Sequence, residues 1–172
     1  NVYCRRILES KYNLGFFENP YIYCDVKRAK KQIFTKEHRA VARKIASESL
    51  VLLKNEGNVL PLAKKGTIAV VGPLADSRSN MPGTWSVAAV LKNATSLAEG
   101  LKAVAGGKAE ILTAKGCNLM SDAEYEKRAT MFGRSLHRDN RSDKELLDEA
   151  LAVAAKSDVI VAALGESSEM SG

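Results

Sequence analysis

Two carboxylates and one indole stand where an α/β chain does its chemistry. Glu166 and Glu169 lie in Gly165-Glu166-Ser167-Ser168-Glu169-Met170-Ser171-Gly172, directly after Asp158 and the apolar run 159–164. Trp85, the only tryptophan, sits in Gly83-Thr84-Trp85-Ser86, downstream of the apolar run 67–71. Two carboxyl groups can serve as general acid and base, and glycoside cleavage typically uses such a pair. The other reading is that Glu166 holds its loop through backbone hydrogen bonds while Glu169 is solvated. Trp85 has two readings as well. It could pack at a junction, or it could offer its flat face to the CH side of a pyranose.

Other chemistries lack their residues. The loop after 67–71 carries neither G-x-x-x-x-G-K-[ST] nor G-x-G-x-x-G, so Gly72 reads as a tight turn out of a strand rather than a phosphate cradle. His38 falls in a helix first turn and His137 in an arginine-rich loop, and no Ser/His/Asp or Cys/His set can be assembled around them. Cys4, Cys24 and Cys117 are odd in number and widely spaced, with no zinc pattern. Two of them could pair; buried free thiols fit equally well. No metal or cofactor is expected.

The elements that must position Trp85 and the glutamates follow from periodicity. Thr67-Ile68-Ala69-Val70-Val71 is a continuous apolar run ended by Gly72-Pro73, as in a strand buried on both faces. A helix is expected at about 95–105, with Leu97, Leu101 and Val104 on one face and Ser96/Glu99 at capping-box spacing. A weaker strand spans 109–113. The polar stretch 118–141 includes a short helix capped at Ser121. Ser142 and Glu145 form a second capping box, opening a helix with Leu146, Leu147, Ala150, Leu151 and Ala154 along one stripe. Residues 158–164 form the third strand. Three strands joined by helices imply right-handed crossovers and a parallel sheet covered on both faces. The loops after the first and third strands then leave the same edge, where open α/β sheets bind ligands.

Upstream, 36–54 reads as one long helix with Thr35 as N-cap and Val41, Ile45, Ser49, Leu52 and Leu53 on one face. A helix also opens the chain, followed by an aromatic segment too short for its own core. Residues 22–35 read as a polar linker. A doubly wound sheet usually has more than three strands, so the expectation is a piece of a larger protein.

The whole composition agrees with a globular fold: of 172 residues, 45% are hydrophobic and 27% charged. No apolar stretch approaches the ~20 residues needed to span a bilayer. The net charge of +6 is spread out, with small clusters at 27–31 and at Arg134, Arg138 and Arg141, and acidic residues between them. No alternation of aromatic and basic residues suggests base stacking, so nucleic acid is not an expected partner.

Six segments in order resemble glycoside hydrolase family 3, of the bacterial β-glucosidase type. Residues 12–21, Tyr-Asn-Leu-Gly-Phe-Phe-Glu-Asn-Pro-Tyr, resemble the end of that family's barrel domain. Glu48-Ser49-Leu50-Val51-Leu52-Leu53-Lys54-Asn55-Glu56 with Leu60-Pro61-Leu62 resembles the start of its second domain. The segments 68–76, 83–86, 114–118 and 158–161, with Gly165-Glu166, complete the series. The resemblance implies a partial doubly wound, mainly parallel α/β sandwich over 36–172. Before it would lie a linker (22–35) and the C-terminal edge of a (β/α)8-like barrel (1–21).

It also implies a retaining hydrolase of terminal β-D-glucosyl residues, in oligosaccharides or glucosides, in the periplasm or outside the cell. The nucleophilic aspartate would come from the barrel, upstream of this chain. Met170-Ser171-Gly172 matches the unit that precedes the family's acid/base glutamate, which places that residue immediately after Gly172. Gly165, Glu166 and Glu169 are then loop scaffold, and Trp85 resembles a wall of the leaving-group subsite. On this reading the chain has no catalytic residue of its own, is inactive alone, and has the rest of its polypeptide as its partner. The alternative is a catalytically empty carbohydrate-binding or regulatory module.

Overall fold

The computed structural model describes residues 2–86, 88–128, 130 and 136–169, which fall into two compact units, 1–60 and 61–172. The first is helical. Helix α1 (Val2–Asn13) leads into turns in which Phe16 and Tyr23 meet edge to face, ring centroids 5.5 Å apart. The interval expected as a linker contains a short helix, α2 (Val26–Gln32), because the Asp25 carboxylate accepts from the Arg28 N–H and satisfies a first-turn donor.

Helix α3 (Lys36–Glu48) starts as expected, with Thr35 Oγ1 accepting from His38 N at 3.2 Å. It ends six residues earlier than its apolar periodicity predicts. At its end the Ser49 hydroxyl donates to the Ala46 carbonyl, a local bond that competes with helix continuation. Residues 50–54 are not helical, and Leu53 is 91% exposed.

The second unit is the α/β sheet. Strands β1 (Thr67–Val71), β2 (Glu110–Ala114) and β3 (Val159–Ala162) are parallel, in the order β2-β1-β3. Ala69 pairs with Leu112 on one side and Ile160 on the other. Alternate residues of β1 serve opposite faces. Ile68 and Val70 join Ala75, Ala98, Leu101 and Ile111 in the main core, and Ala69 on the opposite face is also fully buried.

Helix α4 (Leu97–Ala105) connects β1 to β2; α5 (Ala123–Arg128) and α6 (Asp143–Ala154) lie between β2 and β3. Both expected capping boxes are present, Ser96/Glu99 and Ser142/Glu145, and Gly106 ends α4 with φ +57°. The buried stripes match the expected ones in part, with Leu101, Leu146 and Ala150 on the packed side. In α4 the buried residues are Ala98 and Ala105, with Val104 exposed; in α6 they are Leu146 and Ala150, with Leu147 and Leu151 exposed. Helix α6 packs closely on the turn after β2: Ala150 Cβ stands only 3.4 Å from where a Cβ on Gly116 would lie. The short helix after β2 is capped by Asp122, not Ser121; its Oδ1 accepts from the N–H of Glu124 and Tyr125. Cys4, Cys24 and Cys117 are free and exposed rather than buried, since each lies on a surface segment.

Candidate active-site edge

The order β2-β1-β3 reverses direction at β1. The crossover through α4 runs one way and the crossover through α6 the other, which opens a crevice between the carboxyl ends of β1 and β3. The expectation that the loops after these two strands share one edge is met, and they are bonded together. Val71 O accepts from Ala163 N at 2.7 Å, and Ala163 O accepts from Leu74 N at 3.1 Å. Gly72 makes this possible, with φ +118° and its Cα so close to Ala163 that a Cβ would overlap the carbonyl oxygen.

Farther out, Asn80 Oδ1 accepts from Ser168 N at 2.9 Å and from Ser168 Oγ at 3.2 Å, and Thr84 Oγ1 donates to Ser168 O. Asn80 is oriented in turn by its Nδ2, which donates to Ser77 Oγ at 2.7 Å. Ser167 and Glu169, on either side of Ser168, are buried, as is Thr84.

The loop after β1 is also fixed to the N-terminus of α4. Ser96 Oγ donates to Asp76 Oδ1 at 2.5 Å, Ala98 N donates to Ala75 O at 3.0 Å, and Arg78 pairs with Glu99. The Arg78 guanidinium, helped by the Ser96 N–H, holds the Glu99 carboxyl down at about 2. This loop is thus tied to the sheet, to α4 and to the loop after β3.

The predicted site residues divide. Gly165 and Glu166, joined by a cis peptide, are exposed, whereas Glu169, next to the Thr84-bonded Ser168, is buried rather than solvated. Trp85 follows Thr84 directly and is 76% exposed, so it does not pack within its own unit. Met170, Ser171 and Gly172 lie outside the described residues. The sequence reading missed Asn80, Thr84 and Ser168. Their one signal was a side-chain amide in a small-residue loop that must meet another loop.

Beside the junction lies an open cleft of about 670 Å³, bordered by Asp76, Arg78, Lys115, His137, Arg141 and Glu149. Its charges are largely internally paired. Arg141 bonds Asp139 and Glu149, and Asp139 is held at about 2 chiefly by its hydrogen bonds from Arg141. Burial lowers the pKa of Lys115, whose Nζ donates to His137 O at 2.7 Å. Among the described residues no cluster of His, Cys, Asp and Glu could hold a metal ion, and no helix is long and apolar enough to cross a membrane.

A doubly wound sheet whose two carboxyl-end loops are locked together defines an α/β domain. Residues 50–172 match the Glycosyl hydrolase family 3 C-terminal domain, and the chain belongs to glycoside hydrolase family 3. It is 40% identical to the Periplasmic beta-glucosidase of Salmonella typhimurium, over 96% of this chain and 22% of that protein. It is 31% identical to a Beta-xylosidase of Formosa agariphila, over 97% of this chain and 21% of that protein. The crystal structure of a beta-glucosidase from Listeria innocua in complex with glucose superposes with a TM-score of 0.68 at 34% identity, over 97% of this chain and 19% of that one. The chain spans about a fifth of the length of these relatives.

Proposed function

We propose that the chain supplies the α/β sandwich part of a retaining β-glucosidase that removes terminal β-D-glucosyl residues from glucosides or oligosaccharides. The observation that supports this reading is the bonded junction of the β1 and β3 loops, in which Asn80 and Thr84, the neighbour of Trp85, meet Ser168 at one sheet edge. The beta-glucosidase names of two of the relatives favour glucosides, and the periplasmic name of one favours a periplasmic or secreted setting.

In this proposal residues 1–21 are the C-terminal edge of the barrel, 22–35 the linker, and 36–172 the first part of the sandwich. The barrel brings the aspartate nucleophile. The acid/base glutamate follows Gly172, about 5–5.5 Å from the nucleophile as retention requires. The aspartate attacks the anomeric carbon as the glutamate protonates the departing oxygen; the same glutamate then deprotonates the water that releases the sugar. Gly165, Glu166 and Glu169 shape the loop, and Trp85 walls the leaving-group subsite.

The test compares the chain alone with the chain in its full-length polypeptide, on 4-nitrophenyl β-glucoside, α-glucoside and β-xyloside. The expected result is no turnover by the chain alone and a kcat/KM for the full polypeptide that is highest on the β-glucoside. A higher value on the β-xyloside would overturn the glucosidase assignment. Inactivity of the full polypeptide, together with saturable quenching of Trp85 fluorescence by cellobiose, would point to a binding module instead.

A further inference from the structure

We propose that Asn80 and Thr84 are positioning residues for the acid/base segment, acting through Ser168; the proposal rests on the β-glucosidase reading above. Three of the polar groups of Ser168 are engaged from the loop after β1. Its N–H and hydroxyl both converge on Asn80 Oδ1, and its carbonyl accepts from Thr84 Oγ1. One residue is therefore gripped on both sides of its own Cα, which fixes the direction in which the chain leaves it.

The grip is anchored to rigid parts. Asn80 is held by Ser77, and the same loop is bound to the buried cap of α4 through Asp76 and Ser96. Thr84 is itself buried. Neither residue belongs to the retaining carboxylate pair, and neither needs to touch substrate. What they control is where the segment beyond Ser168 is aimed. A misplacement of about 1 Å can cost a reaction on the order of 100-fold.

The step affected is proton delivery. In the first half-reaction the acid transfers its proton to the glycosidic oxygen as the C–O bond to the sugar breaks and the bond to the nucleophile forms. A leaving group that departs readily as an anion needs little of that proton, while a basic one needs it fully. A misaimed acid therefore lowers kcat/KM, which reports this step, in proportion to leaving-group basicity. Loosened folding lowers it evenly.

The experiment uses the full-length polypeptide carrying Asn80→Ala, Thr84→Val or Thr84→Ser, with kcat/KM measured on 2,4-dinitrophenyl and phenyl β-glucosides. Asn80→Ala and Thr84→Val are expected to lose on the order of 10–100-fold on the phenyl glucoside and less than about 3-fold on the dinitrophenyl glucoside. Thr84→Ser, which keeps the hydroxyl, stays near the parent on both. Equal losses on the two substrates, or no loss on either, would overturn the positioning role. If Asn80→Ala does not fold, the nearly isosteric Thr84→Val carries the same test. A parent protein inactive on both glucosides sinks the β-glucosidase reading itself, an outcome distinct from uniform losses in an active one.

Discussion

Ser168 donates both its backbone N–H and its hydroxyl to one oxygen of Asn80, 88 residues earlier in the chain, at 2.9 and 3.2 Å. With the Thr84–Ser168 bond, this joins two loops that the sequence keeps far apart and the strand order brings to one edge.

Trp85 is expected to act on substrate and not on folding. It is largely exposed, so Trp85→Ala should leave the urea midpoint of the sheet unit within experimental error. In the full-length polypeptide the same change should raise KM for aryl β-glucosides several-fold. A marked loss of stability with KM unchanged would assign Trp85 to packing.

Two glycines should respond in opposite directions to alanine. Gly72 holds φ +118° against the Ala163 carbonyl, so Gly72→Ala should destabilise the unit by more than ~1 kcal/mol. Gly100 is helical with open space at its Cβ position, and Gly100→Ala should stabilise by about 0.5–1 kcal/mol. Urea unfolding followed by circular dichroism reads both. Similar effects of the same sign would contradict the close approach at Gly72.

The two helix caps are unequal. The Ser96 hydroxyl both caps α4 and donates to Asp76, and the residue is buried, while the Ser142 cap is exposed. Ser142→Ala should cost about 1 kcal/mol, and Ser96→Ala more, because a buried donor bond is lost together with the cap. Equal midpoints for the two variants would remove the Asp76 tie as a source of stability.

Acid should weaken the sheet unit partly through Glu99. Its pKa is lowered from 4.5 to about 2, so its contribution is complete above about pH 4.5 and is lost as pH falls toward 2. The main cause is the hydrogen bonding from Arg78, so Arg78→Gln should flatten stability across that window. Urea midpoints measured from about pH 5 down to pH 2 decide it. Parallel falls in parent and variant would show that Arg78 does not set the shift.

The sheet was legible because its signals are local. β1 is a continuous apolar run bounded by Gly72, and both capping boxes, Ser96/Glu99 and Ser142/Glu145, follow a fixed spacing that the structure keeps. The faces of the helices were harder to read. In α4 periodicity points to the largest apolar side chains, but the small Ala98 and Ala105 are the ones buried where Val104 is not; in α6 the expected Leu146 is buried. Helix α3 was extended too far because Leu52 and Leu53 continue its period, while the Ser49 side chain bonds the last turn.

At the site, the meeting of the two loops followed from topology alone. Which residues would join them did not, since a bond between Asn80 and Ser168 leaves no spacing pattern. The burial of Glu169, open in sequence between an acid/base role and a solvated one, likewise follows from tertiary contacts that no spacing announces.

The central claim, that this α/β unit serves a retaining β-glucosidase, is tested most directly by proton NMR of the sugar first released from an aryl β-glucoside by the full-length polypeptide. Retention predicts that the β-anomer of glucose appears first and the α-anomer only later, as mutarotation proceeds. Initial release of the α-anomer, or of no glucose at all, would contradict it.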